Sequence, residues 1–356
     1  MEPLPDRTSF VVIGENIHAT RSISRRGRHV VRVGDAEQIA FVNAGGHELT
    51  VPIAAPVADS ADFAAGKVKH IRNAVLLGLG GEALVPAEIT GPVTADGAAA
   101  ARNYLVAAAQ RQELAGAHYI DVNIDEMAGD EGIRVAAIEW LVRLLEPALG
   151  IPLSLDSSSV VVLEAGLRAS SSPHGPLMLN SASAERPEVL DLAAATGSPV
   201  VLSASGRGSL PSDTAGRVAN AVEIVAEAAR LSIPPAAMYL DLLVIPVGVD
   251  PDAGTAYLDA VRHVRATHGA GIRITGGLSN VSFGLPNRGL LNEAFMALAM
   301  DAGVDSGIID PIGLRMDRAL GTDRSSRAYA LAADVLTGVD AFAMEYLSAF
   351  RAGTLA

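Results

Sequence analysis

The 356-residue chain contains no cysteine. That removes disulfides, thiolate nucleophiles and cysteine-ligated zinc or iron–sulfur clusters. Its eight histidines include neither an HExxH pattern nor a pair at ligand spacing, and His18, His118 and His174 stand alone. No metal site is expected. Positive charge is scarce: 27 Lys and Arg against 40 Asp and Glu leave a net charge of −13. A nucleic-acid groove needs a basic surface, so no nucleic acid is expected as a partner. No apolar run reaches the length that crosses a bilayer, and the start MEPLPDRTSF carries no secretory pattern, so a cytoplasmic protein without a membrane partner is expected. What remains is a chain that is 49% apolar with 35 glycines, a composition suited to close helix–sheet packing. Its length allows one large domain or two ordinary ones.

From Tyr119 onward one rhythm repeats: a short apolar strand ends in a polar residue, and a helical stretch follows. The strands read YIDVN (Tyr119–Asn123), PLSLDSS (Pro152–Ser158), PLMLNSAS (Pro176–Ser183), PVVLSAS (Pro199–Ser205), MYLDLLVI (Met238–Ile245), IRITGGLSN (Ile272–Asn280) and SGIIDP (Ser306–Pro311). SFVVIGEN (Ser9–Asn16) makes an eighth. Helical periodicity marks Ile133–Leu149, Pro187–Thr196, Ser212–Leu231, Gly254–Thr267 and Leu290–Ala302. Alternating strands and helices imply parallel βαβ units with right-handed crossovers. Eight of them predict an α/β fold of the (β/α)₈ barrel class, with a doubly wound sheet as the other arrangement.

The rhythm is interrupted after the first strand. Arg28–Ile53 alternates with period two and has turn signals at Gly34–Asp35 and Gly45–Gly46, which predicts a small antiparallel β insertion. Helices are expected at Ser60–Leu77 and Gly97–Ala115, with Gly78–Thr94 as a loop or linker. The inserted segment spans about residues 19–96 of a single domain covering 1–356.

In a barrel of this class the active site lies at the carboxyl ends of the strands. Those ends carry Asn16, Asp121 with Asn123, Asp156, Asn180, Ser203 with Ser205, Asp241, Asn280 and Asp310. Any one of them suits a helix N-cap as well as a ligand. Asp156 and Asn180 lie inside apolar runs, before the loop begins, which weakens the capping reading there. Amides offer donors and acceptors, carboxylates strong acceptors. Together they suit a flat heterocycle with an aminopyrimidinone edge. The connection GGLSNVSFGLPNR, about twice the usual strand-to-helix length, carries Asn280, Asn287 and Arg288.

LSLDSS, LMLNSAS, YLDLLVIP and GLSNVSFGLPNRGLLNEAFMALAMDAGVDSGIID resemble the pterin-binding barrel of the methyltetrahydrofolate:corrinoid methyltransferases. The same domain is the folate module of cobalamin-dependent methionine synthase and is more distantly similar to dihydropteroate synthase. The likeness covers Val11–His18 and Tyr119–Asp310. It implies that Asp156, Asn180 and Asp241 bind the pterin and that Asp121 and Asn123 line the same pocket. It also implies that the Asn280 amide lies near the methyl-bearing nitrogen and favours its protonation. Asn287 and Arg288 either buttress that loop or meet the glutamate tail of the folate. Tetrahydrofolate or methyltetrahydrofolate is then the substrate and cobalamin, or another corrinoid, comes from a partner. DAVRHVRATHGAG (Asp259–Gly271) has the wrong spacing for the DxHxxG of a cobalamin-binding module, so a separate corrinoid protein is expected. A homodimer is expected from the same likeness. Three other functions share the pocket: a corrinoid-independent, tetrahydrofolate-dependent demethylase, a dihydropteroate synthase-like enzyme, and a non-catalytic folate-binding protein. The absence of an SxKR-like motif disfavours the second.

Overall fold

The computed structural model describes residues 10–314, 319 and 321–355; Ser9, expected in the first strand, lies outside them. The strands in chain order are β1 (Val11–His18), β2 (Ser22–Ser24), β3 (Val30–Val33), β4 (Ala36–Val42), β5 (Glu48–Pro52), β6 (Lys67–Lys69), β7 (Tyr119–Asn123), β8 (Leu153–Asp156), β9 (Met178–Ala182), β10 (Val200–Ser203), β11 (Met238–Asp241), β12 (Arg273–Thr275) and β13 (Ser306–Ile309). Eight of them form one sheet in the order β12-β11-β10-β9-β8-β7-β1-β13. With a helix between successive parallel strands, this is the α/β fold of the (β/α)₈ barrel class. The chain divides into two compact units, Gly14–Leu177 and Met1–Ile13 with Met178–Ala356.

In the first unit β7 and β8 run parallel with Asp121 opposite Ser154 and Asn123 opposite Asp156. Ile120, Val122, Leu153 and Leu155 alternate with these polar residues and are fully buried, which fixes the register by sending the apolar side chains to one face. The helix Glu131–Leu145 begins where Asp130 Oδ1 accepts from Ile133 N at 3.1 Å, and Val160–Ala169 where Ser159 plays the same capping part. The period-two segment forms the antiparallel sheet β3-β4-β5, with Gly34–Asp35 as the first turn. Phe41 of β4 meets Tyr104 edge-on at 5.1 Å, which seats this sheet on the helix Ala95–Leu114.

Two expectations for the insertion are corrected. Ser60–Leu77 is not one helix: a turn of helix at Ala61–Ala64 gives way to β6, which pairs antiparallel with β2, before a helix runs from His70 to Gly81. Nor is Gly78–Thr94 all loop, because that helix continues through GLGG and Ala87–Thr90 is helical. The glycines persist in the helix because of packing. A Cβ on Gly78 would lie 2.1 Å from the Trp140 ring.

In the second unit β9, β10, β11 and β12 are successive parallel neighbours. β13 joins β12 through Ile308 N to Gly276 O at 2.9 Å, and Val11 N donates to Asp305 O at 2.9 Å. A buried ion pair secures the start of β12 and β13. Arg265 Nη2 lies 2.6 Å from Asp305 Oδ1, and Arg265 also donates to Gly303 O and Ile272 O, while Ile274 N donates to Asp305. The strands from β8 onward are shorter than the sequence suggests, two of them by four residues or more. MYLDLLVI ends as a strand at Asp241, and IRITGGLSN ends at Thr275, after which Leu278–Ser282 forms a 3₁₀ turn.

Candidate active site

Each candidate is set by its strand. In the first unit Asn123 and Asp156 are the last residues of neighbouring strands, and Asn123 Nδ2 donates to Asp156 Oδ2 at 2.9 Å. This bond orients the carboxylate. Asp121, two residues earlier on the same strand face, sits one layer deeper: it is 2% exposed and accepts from Ser154 Oγ at 2.7 Å. It forms the floor beneath the Asn123–Asp156 pair. Asp125, which the sequence reading passed over, ties the two following loops together. It accepts from Ser157 Oγ at 2.6 Å and from Ser158 N and Oγ at 2.7 Å each. Burial pushes its carboxyl up, but the bonds from Ser157 and Ser158 outweigh that and hold it below its ordinary range. DxNxD followed by a serine run was the available signal.

In the second unit Asn180 lies mid-strand opposite Val201 and is nearly buried. Asp241 ends β11 with Ser203 on one side and Thr275 on the other. Leu243 N donates to Asp241 Oδ1 at 2.8 Å as the chain turns away. Desolvation pushes the Asp241 carboxyl up to about 6, against the pull of that hydrogen bond. Behind this turn lies Arg217, also absent from the sequence reading. It is fully buried, and its Nε donates to Leu242 O at 3.2 Å. Its signal was a lone arginine on the apolar stripe Ala221, Ile224, Val225 and Ala228.

Asn280 is not at a strand end but inside the 3₁₀ turn, five residues beyond β12. Its backbone N donates to Gly277 O at 3.0 Å, and its side chain is solvent-exposed. A Cβ on Gly277 would come within 2.8 Å of Asn280 Nδ2, so glycine leaves the amide its place. The loop is held from behind by Arg288, whose Nη2 donates to Ser279 O at 2.7 Å and whose Nε donates to Ser282 Oγ at 3.1 Å. Asn287 Nδ2 donates to Leu355 O at 3.2 Å. Both residues therefore buttress the loop. Asp310 serves its own turn, accepting from Ile312 N and Gly313 N at 3.0 Å.

Residues 90–310 match the family model described as "Pterin binding enzyme". The chain belongs to the pterin-binding enzyme family. The match begins beyond most of the inserted segment. Among curated proteins, a methylcorrinoid:tetrahydrofolate methyltransferase of Eubacterium limosum is 30% identical over 251 residues, covering 68% of this chain and 86% of that protein. A methionine synthase of Mycobacterium leprae is 30% identical over 223 residues, 56% of this chain, and these span only 17% of that protein. Among solved structures, a dihydropteroate synthase of Stenotrophomonas maltophilia is similar at 17% identity and a TM-score of 0.48, covering 71% of this chain and 89% of its own. Within the family this chain is a methyltransferase of the methyltetrahydrofolate:corrinoid branch. Among the described residues no cluster of three or more His, Asp or Glu could hold a metal, and no helix is long and apolar enough to cross a membrane.

Proposed function

We propose that this pterin-binding methyltransferase moves a methyl group between tetrahydrofolate and the cobalt of a corrinoid held by a separate protein. The observation that carries the reading is Asn280, an exposed amide in a glycine-bearing turn braced by Arg288, just beyond a strand whose neighbour ends in Asp241. The family resemblance assigns the strand-end residues to the pterin. Asp156 and Asp241 accept from the ring amide and exocyclic amine, and Asn123 and Asn180 complete the ring contacts, with Asp121 supporting from below. Folate acts as substrate here, and the corrinoid supplies the nucleophile or leaving group for the methyl. Asn280 acts at the methyl-bearing nitrogen, where its hydrogen bond favours the protonated amine that departs readily. Holding the two large reactants in line is mainly positioning. Arg217 and Arg288 are positioning residues for the Asp241 and Asn280 turns. A cytoplasmic location fits such a substrate.

The test is transfer from methyltetrahydrofolate to free cob(I)alamin, followed by visible absorbance. Turnover is expected for the wild type. Asn280→Ala should lower kcat more than it weakens folate binding. Equal kinetics for the two would reduce Asn280 to a turn residue, and no transfer by the wild type in either direction would sink the reading.

A further inference from the structure

The chain is acidic overall, yet residues 16–34 contain five arginines and no Asp or Glu, and the only two lysines in the whole sequence are Lys67 and Lys69. The fold brings these two stretches together. β2 pairs with β6 so that Ser24 stands opposite Lys67 and Ser22 opposite Lys69. Val68 is fully buried, so the flanking lysines turn outward. The ribbon is seated on the loop that follows β7. Ala19 N donates to Asn123 O at 2.9 Å, Lys69 Nζ lies 3.2 Å from Glu126 Oε2, and Arg72 Nε donates to Met127 O at 3.3 Å. It therefore flanks the strand-end face that carries Asn123 and Asp156.

Some of this charge is spent internally. Arg21 pairs with Glu15, Lys69 with Asp62 and Glu126, and Arg25 with Glu37 while stacking 4.0 Å over the Phe63 ring. The side chains of Arg26 and Lys67 are exposed and make no hydrogen bond or ion pair among the described residues. Ser24, Arg25, Arg26, Glu37 and Ala64–Gly66 line a cavity of about 650 Å³, in which Glu37 is neutralised by Arg25. The unpaired Arg26 in the lining, with Lys67 next in the chain after Gly66, makes an anion-binding rim. Arg288, the other cation suited to a folate tail, is engaged with Ser279 and Ser282.

We propose that the β2–β6 ribbon binds the γ-linked oligoglutamate tail of the folate, with Arg26 and Lys67 meeting its carboxylates. The inference rests on the folate reading of the site. A monoglutamate tail has two carboxylates, and each further γ-glutamyl unit adds one, so affinity rises with tail length where cations are spaced along the path. Each exposed pair contributes a few-fold at most, and two or three give about tenfold at low salt.

The experiment is calorimetric titration of the full chain with methyltetrahydrofolate monoglutamate and triglutamate, at low and high salt. The triglutamate is expected to bind about tenfold tighter at low salt, with the gain shrinking in high salt. In the double variant Arg26→Gln, Lys67→Gln the gain is expected to fall below about twofold; both sites are exposed, and circular dichroism checks the fold. Equal affinities for the two tails in the wild type would overturn the ribbon proposal and leave the folate reading standing. A full gain retained by the double variant would also overturn it, since the tail would then lie elsewhere. Failure of both folates to bind would remove the folate reading and the proposal with it.

Discussion

Asp156 and Asp241 are both aspartates at the ends of apolar strands, and their surroundings separate them. Asp156 is oriented by the Asn123 amide, whereas Asp241 has one backbone donor and a carboxyl raised to about 6 by desolvation. A pterin amide and amine need the ionised acceptor. Folate affinity is therefore expected to weaken as pH falls below about 6, by up to about tenfold per pH unit. Stability of the free protein runs the other way. A raised carboxyl stabilises the fold below its ordinary range, and that contribution is lost as pH rises through about 6. Asp241→Asn should bind folate more weakly at neutral pH, by about 1.5–3 kcal/mol, and lose the pH dependence in that window. Calorimetry from roughly pH 5 to pH 8 measures both. A wild-type affinity flat across that range would place Asp241 outside the ring contacts. The sequence made both carboxylates visible because each interrupts an apolar run. It did not reveal that Asp121 lies a layer lower on Ser154, since alternation sends Asp121 and Asn123 to the same face without giving depth.

At the scale of elements, β12 and β13 are short, and their placement leans on side chains. The helix Ala253–His268 sends Arg265 onto Asp305, with 6% and 5% of the two side chains exposed, and the pair also takes backbone groups from both strand starts. Removing one partner leaves an uncompensated buried charge, so Asp305→Ala should cost about 3–5 kcal/mol in denaturant unfolding. Arg262→Ala, which removes an exposed partner of Asp259 on the same helix, should cost less than about 1 kcal/mol. Comparable losses for the two would show that the buried pair does not fasten these strands. Beyond Tyr119, the helices Glu131–Leu145, Glu188–Thr196, Thr214–Arg230, Ala253–His268 and Arg288–Ala302 were legible from their periodicity, whereas Val160–Ala169 was not read. The break at β6 was not legible, because KVK lies within a helix-like pattern and becomes a strand only by pairing with β2.

For the whole molecule, we propose the homodimer that the family resemblance implies, and the inserted sheet β3-β4-β5 is a candidate contact. Ile39, Phe41 and Val51 face inward and are buried, while Val33 and Val42 are 46% and 44% exposed. Light scattering is expected to give twice the 36.6 kDa of one chain. Val33→Glu with Val42→Glu should yield the monomer if the sheet is the interface, because two charges in an apolar contact would be buried unpaired. A wild-type monomer would refute the dimer, and an intact dimer in the double variant would move the interface off this sheet.

The sequence by itself determined the alternation of strands and helices, the strand-end residues Asn123, Asp156, Ser203 and Asp241, and the antiparallel insertion, since each follows from the pattern within one short window. It also placed the Asn280 connection, through an unusual local run of glycine, serine and asparagine. Tertiary structure alone decided which side chains were already engaged. Arg288 is committed to its own loop, Arg217 stands behind Leu242, and Asp125 binds the serines after β8. It also joined residues 22–24 to 67–69, gathering the chain's two lysines beside its arginine run. These pairings join residues up to 47 positions apart in the first unit and 25 in the second, beyond the reach of any local pattern. The charges of a ribbon or the depth of a carboxylate are set by what packs against them, and that is settled only when the chain closes on itself.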